Sequence, residues 1–315
     1  MNKNGILIRT VTLLAAIVIA VSCFAGCGSN DDRVYRTYKE LKEDGNVKIG
    51  VTSDNTPFGF ADENGDYQGY EIRFADRLAK ELGLKVKFVS TEIEDRAKYL
   101  ETGKVDIVIA DYAVEKTAKK AVDFAKPYMK RALGAVSADE NKVDSIESLG
   151  KKDKVIVVSG SAAAKFMTES YPKVKLCECA DENEAIDAII SNKGILWLTE
   201  NTNAAEFAVQ NDDFSLRIAE IGDVLEYAPA VTKGNGSLLK KINKAIDKLN
   251  KEGFFSTDYQ ESLKNVFGKN FESNLLIGVE NEDAEETTSA SESTDSTEGT
   301  TSATQKTTST AKKAS

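Results

Sequence analysis

The chain contains no histidine and only four cysteines in 315 residues. It therefore lacks the imidazole and paired-thiolate sets that build most zinc sites, and neither a metal nor an organic cofactor is expected. It has no basic excess: 51 acidic against 41 basic side chains give a formal net charge of −10. That is the wrong sign for the phosphate backbone of a nucleic acid. No apolar run reaches the roughly 20 residues of a membrane-spanning helix. Residues 281–315 lack Val, Ile, Leu, Met and aromatics altogether, and 17 of those 35 are Ser or Thr. Such a segment cannot bury enough apolar surface to offset its conformational entropy, and a disordered, solvated tail is expected. O-glycosylation or contact with the cell wall are the sharper alternatives for the same composition. The single tryptophan, Trp197, lies in an apolar run and reads as core.

What is present at the start is equally specific. Lys3 and Arg9 precede an apolar run, residues 11–21, and then Phe24-Ala25-Gly26-Cys27. A basic start, a short apolar stretch and small residues before the cut mark a secretory signal, residues 1–26. Cys27 after Ala25-Gly26 resembles the lipobox cysteine that receives diacylglycerol, although Phe24 stands where Leu is usual. An ordinary signal with a chance cysteine is the alternative. Two acyl chains suffice for stable anchoring, so the expectation is a chain held on the extracellular face of the membrane through Cys27, with residues 27–44 as a lipidated linker. Cys23 leaves with the signal. Cys177 and Cys179 would share one face of a strand, with alpha carbons near the upper limit for a disulfide. They read as packing residues rather than a redox pair.

Between these ends, short apolar runs alternate with helical patterns. Residues 47–51, 85–89, 105–110, 155–158, 174–177 and 195–198 read as strands, and residues 70–82, 162–171 and 182–190 as helices. Repeated strand and helix predict an α/β fold of parallel sheets covered on both faces. Residues 238–249 and 254–266 look purely helical. Residues 133–136 and 227–231 are extended and flank the second strand–helix block, as two crossings between lobes would. The expected division is residues 45–134 plus 229–270 for lobe 1 and residues 135–228 for lobe 2. Such a pair of crossings is a hinge able to close over a small molecule.

These segments resemble one family. Thr56-Pro57-Phe58-Gly59-Phe60 is followed by Asn64-Gly65-Asp66-Tyr67-Gln68-Gly69-Tyr70-Glu71 and by Leu100-Glu101-Thr102-Gly103-Lys104-Val105-Asp106. Val122-Asp123-Phe124-Ala125-Lys126-Pro127-Tyr128, Ser159-Gly160-Ser161 and Lys251-Glu252-Gly253-Phe254-Phe255 complete the set. Six motifs in this order resemble the family 3 extracellular solute-binding proteins, the amino-acid receptors of ABC importers. Residues 122–136 look particularly like the cysteine-binding branch. The resemblance implies a type II periplasmic-binding-protein-like fold with two lobes on a two-segment hinge. It also implies an ABC permease as partner, an amino acid or amine as ligand, a monomer, and no enzymatic activity.

The resemblance also assigns the site. Ser161 and Ala162 fall where lobe 2 presents a hydroxyl and amides at a helix start, and Glu200 aligns with an ammonium-binding Asp. Ala110 matches a backbone carbonyl of lobe 1, and Phe58 lies in the loop that supplies an aromatic wall. Arg96 sits where some branches place a ligand-contacting Arg, and Ile93 replaces a frequent aromatic. Tyr112 reads equally as a cleft residue or as a cap on the preceding strand, and Asp111 stands where a small or amide residue is usual. The main departure is Ala118, which occupies the position of the Arg that clamps the ligand's carboxylate. Arg96 or Lys119 would have to compensate, or the ligand would lack an alpha-carboxylate. Two other classes compete: a cyclohexadienyl dehydratase-like enzyme, with Glu115, Asp111 or Glu200 as acid or base, and a non-transport receptor with an eroded site.

Overall fold

The computed structural model describes residues 33–279. The signal segment, Cys27 and the Ser/Thr-rich tail lie outside the described residues.

Two five-stranded sheets organise the chain. The strands in chain order are β1 (Asn46–Val51), β2 (Asp54–Asn55), β3 (Gly59–Ala61), β4 (Tyr67–Gln68), β5 (Lys85–Ser90), β6 (Ile107–Val108) and β7 (Val122–Phe124). They continue as β8 (Met129–Ala138), β9 (Lys154–Val158), β10 (Lys175–Cys179), β11 (Leu196–Glu200), β12 (Phe214–Tyr227) and β13 (Ala230–Thr232). The first sheet has the order β5-β1-β6-β13-β7 and the second β10-β9-β11-β8-β12, while β2, β3 and β4 form a small meander. β5, β1 and β6 are parallel, as are β10, β9 and β11. β13 is antiparallel to both its neighbours, and β8 is antiparallel to both β11 and β12.

Helices cover the first sheet for simple reasons of periodicity. Tyr70–Leu82 buries Tyr70, Phe74, Ala75, Leu78 and Leu82 on one stripe, and it ends where Gly83 takes the left-handed conformation that closes helices without Cβ strain. The C-terminal helix Gly236–Lys251 buries Leu238, Ile242, Ile246 and Leu249 in the same core. Phe74 of the first meets Phe255 of the helix Phe254–Ser262 at a centroid distance of 5.1 Å. The second sheet carries one core cluster around Val155, Met167 and Leu198 and another around Ile156, Trp197 and Phe207. Trp197 is core, edge-on to Phe207 at 5.4 Å. Cys177 and Cys179 are free thiols packed in that second cluster.

Three features differ from the sequence reading. Residues 38–44, read as part of a linker, form the helix Tyr38–Asp44, closed by a capping box between Thr37 and Glu40. It buries Leu41 completely in the first core. The long strand β12 has no clean alternation because three register shifts interrupt its pairing with β8, and each bulge flips the side-chain pattern. The chain enters the second sheet at Met129 rather than near Ala135, since Met129 already pairs with Tyr227. The two crossing segments bond to each other, Ala125 N–H to the Pro229 carbonyl at 2.8 Å and Tyr128 N–H to the Tyr227 carbonyl at 3.0 Å.

Candidate functional site

The carboxyl ends of the parallel strands in both sheets run toward these crossings, which is where ligands gather in open α/β sheets. After β6 the chain turns sharply at Asp111, whose φ is +51°. The following residues then run along β12: Ala228 N–H bonds to the Tyr112 carbonyl at 3.2 Å, and Val114 N–H to the Glu226 carbonyl at 2.8 Å. That contact brings Asp111 of the first lobe against Arg131 of β8.

Arg131 is the centre of the site. It is 6% exposed. Its Nη2 lies 2.6 Å from Asp111 Oδ1, and its Nη1 lies 3.5 Å from both Asp111 Oδ2 and Glu200 Oε2. Its guanidinium carbon sits 4.3 Å from the Phe58 ring centre and 4.6 Å from that of Tyr227. Desolvated cation–π contacts of this kind contribute about 2 kcal/mol each. Burial opposes the charge, but Asp111, Tyr227, Glu200 and Glu71 outweigh it and hold the Arg131 pKa above its ordinary value. Sequence reasoning missed this residue. The available signal was a charged side chain in an otherwise apolar strand start, Tyr128-Met129-Lys130-Arg131-Ala132-Leu133.

Asp111 is held from below. Glu71, wholly buried, accepts the Asp111 amide and a hydrogen bond from the Tyr128 hydroxyl. Burial and the nearby Asp111 charge push the Glu71 carboxyl up to about 7, against the pull of Tyr128, the Asp111 amide and Arg131. Burial likewise raises the Tyr227 hydroxyl well above its ordinary range.

The remaining expected residues divide. Glu200 caps β11 with its side chain half exposed (51%) beside Arg131. Ser161 caps the helix Ala162–Ser170, its Oγ accepting the Ala164 amide at 3.2 Å. Ala162 and Glu200 line one cavity of about 320 Å³ with Arg131, Phe166, Leu225 and Tyr227. That volume falls within the usual range for small-molecule pockets. Arg96 does begin a helix, Arg96–Glu101, but its Nη1 bonds to the Ala110 carbonyl at 3.1 Å and to the Asp111 carbonyl. The Ala110 carbonyl is thus already engaged by Arg96. Tyr112 does not line the cavity: its ring is buried edge-on to Phe124 and carries Arg96 on its face at 4.3 Å. Ala118 opens the short helix Ala118–Ala121, on which Lys119 is exposed. Among the described residues no group of three potential ligands is arranged to hold a metal ion, and no helix is long and apolar enough to cross a membrane.

A buried cation flanked by carboxylates from two sheets, beside a small cavity, is chemically suited to a small charged solute. The pattern of the bacterial extracellular solute-binding proteins, family 3, matches residues 47–264. The chain belongs to that family. Its similarity to the ABC transporter glutamine-binding protein GlnH of Bacillus subtilis is 27% identity, covering 80% of this chain and 94% of that one. The crystal structure of a solute receptor for L-cysteine of Neisseria gonorrhoeae is 37% identical, covers 77% of this chain and 100% of that chain, and has a TM-score of 0.56. An ancestral cyclohexadienyl dehydratase is 26% identical, covers 74% of this chain and 99% of that chain, and has a TM-score of 0.58. The fold is accordingly the type II arrangement of periplasmic solute-binding proteins, and the family's members are extracellular receptors for small solutes.

Proposed function

We propose that this protein is the substrate-binding lipoprotein of an ABC importer, capturing a free amino acid as a monomer and turning nothing over. The observation that carries this reading is Arg131, set between Asp111 and Glu200 at the edge of the cavity. An amino-acid zwitterion carries both charges on one carbon, and a site offering a guanidinium and a carboxylate side by side complements it. Relatives named for glutamine and L-cysteine support the ligand class. Anchorage through Cys27 places the receptor beside its permease. Closure of the two sheets about the paired crossings at Ala125–Pro229 and Tyr128–Tyr227 would exclude water and strengthen the polar contacts.

The test is equilibrium dialysis of the purified protein against the twenty common L-amino acids and L-cystine, with recovery of the bound compound. Binding of at least one, with the compound returned unchanged and the radius of gyration reduced on saturation, is expected. Binding of none overturns the amino-acid reading.

A second reading, dehydration of a cyclohexadienyl acid, is favoured by the likeness to the ancestral dehydratase. That chemistry needs a positioned proton donor or base. Asp111 and Glu200 are instead paired with Arg131, and Glu115 is exposed away from the cavity lining. Turnover of a cyclohexadienyl acid by the protein alone would put this reading first.

A further inference from the structure

We infer that Arg131 is the residue that binds the ligand's carboxylate, and that Glu200 holds that carboxylate's place until a ligand arrives and then passes to the ligand's ammonium. This rests on the receptor reading above and names which charges perform it.

The two partners of Arg131 are unequal. Asp111 is close, at 2.6 Å, and mostly buried, and its backbone is fixed by the turn after β6 and by the Glu71 carboxylate beneath it. Glu200 is a looser partner, at 3.5 Å, and its side chain is half in water. Withdrawing Asp111 would strand charges in a closed interior, which is costly. Withdrawing Glu200 returns an already solvated carboxylate to water, which costs little. Arg131 also has an unused donor: its buried Nε–H has no acceptor, and an unsatisfied buried donor favours any anion that reaches it. The Phe58 and Tyr227 rings both pack against the guanidinium and Asp111 bonds it through both terminal nitrogens, so its orientation is fixed and the Nε and Nη1 groups are what an arriving carboxylate would meet.

Exchange is then charge-neutral. The ligand's carboxylate replaces Glu200 on Arg131, and the Glu200 carboxylate meets the ammonium one carbon away. The apolar walls at Phe166 and Leu225 receive the side chain. The absence of Arg at Ala118 is thereby compensated from the hinge strand rather than by Arg96, whose Nη1 is engaged by the carbonyls of Ala110 and Asp111. A ligand with an ammonium but no carboxylate would have to leave Arg131 as it stands.

The test is calorimetric titration with three probes. The first is the L-amino acid that dialysis shows to bind best; the others are its decarboxylated amine and its deaminated acid. The wild-type protein should prefer the amino acid to the amine by tenfold or more. Arg131→Met should weaken the amino acid about ten- to a hundredfold, the range of a charged hydrogen bond, while leaving the amine within about twofold. Equal losses for both probes would make Arg131 a structural residue and overturn the inference, as would an amine that binds wild type as well as the amino acid does. Glu200→Gln, at a half-exposed position, tests the exchange even if Arg131→Met does not fold. It should weaken the amino acid yet tighten the deaminated acid, because nothing then competes for Arg131. A deaminated acid that binds Glu200→Gln no better than wild type would refute the place-holding role. If wild type binds no amino acid at all, the receptor reading itself fails, a result distinct from each of these.

Discussion

Glu71 receives the Asp111 amide on both carboxylate oxygens, at 2.9 and 3.2 Å, from complete burial beneath the Asp111–Arg131 pair. Its carboxyl is raised from 4.5 to about 7, first by burial and then by the Asp111 charge. A carboxyl whose pKa is higher folded than unfolded binds more protons in the folded state, so its contribution is full below about pH 4.5 and is lost as pH rises through 7. At about 1.4 kcal/mol per unit of pKa, the loss is on the order of 3 kcal/mol. Asp258, raised by burial to about 6, adds a decline of the same sign. The melting temperature should therefore fall between pH 5 and pH 8, and Glu71→Gln should flatten that slope. A wild-type melting temperature that rises over this interval would contradict the assignment.

Gly69→Ala should destabilise the protein by about 3 kcal/mol, from an unfavourable positive φ and from overpacking. Gly69 has a φ of +113°, and a Cβ there would lie 2.4 Å from the Phe58 carbonyl oxygen. The same displacement moves Phe58 off Arg131, so ligand affinity should fall along with the denaturant midpoint. Gly65→Ala is the useful control: its φ is also positive, but a Cβ there meets nothing within 4 Å. Its loss should be near 1 kcal/mol.

Leu41→Ala should cost about 2–5 kcal/mol, as truncation of a fully buried leucine does, although it lies before the segment matched to the family. Arg36 fastens the same helix by bonding Asp106, which is buried at the start of β6 and also accepts the Lys48 amide at 2.8 Å. Removing residues before 45 should therefore lower the melting temperature by more than Leu41→Ala alone. Thermal unfolding of the two variants checks this, and a truncated protein of unchanged stability would show the helix to be an ornament.

Cys27→Ser should abolish lipid attachment and either release the protein into the medium or leave its signal uncut. Mass spectrometry of the mature N-terminus decides it. An unmodified N-terminus at another residue in the wild-type protein would remove the lipid anchor from the functional reading.

The parts of the fold that were legible are those in which one local pattern acts alone. The helix Tyr70–Leu82 has a single apolar stripe and a glycine stop, and both its ends follow from that. Strands buried on both faces, such as Lys154–Val158, show as continuous apolar runs. β12 was opaque because its bulges scramble the alternation on which strand reading depends. The site was harder for a related reason. Asp111, Arg131 and Glu200 come from three separate strand ends: pairing of β11 with β8 sets Glu200 opposite Leu133, and the contact of residues 112–114 with β12 brings Asp111 to them. Ala118 could be recognised as a missing arginine from sequence alone. Arg131 could not be singled out, because strand pairing rather than spacing sets it beside Asp111 and Glu200.

The docked helix Tyr38–Asp44 also sets how far the receptor can wander. With Cys27 lipidated as proposed, nine residues separate the anchor from the Thr37 cap, and even fully stretched they reach only about 35 Å. The first sheet, in whose core that helix packs, would thus be held within about one protein diameter of the bilayer. A leash this short confines the receptor to the thin layer at the membrane surface where a permease of the same membrane opens. Even weak contact with that permease would then suffice for delivery, and lengthening the leash should slow uptake without changing affinity for the solute.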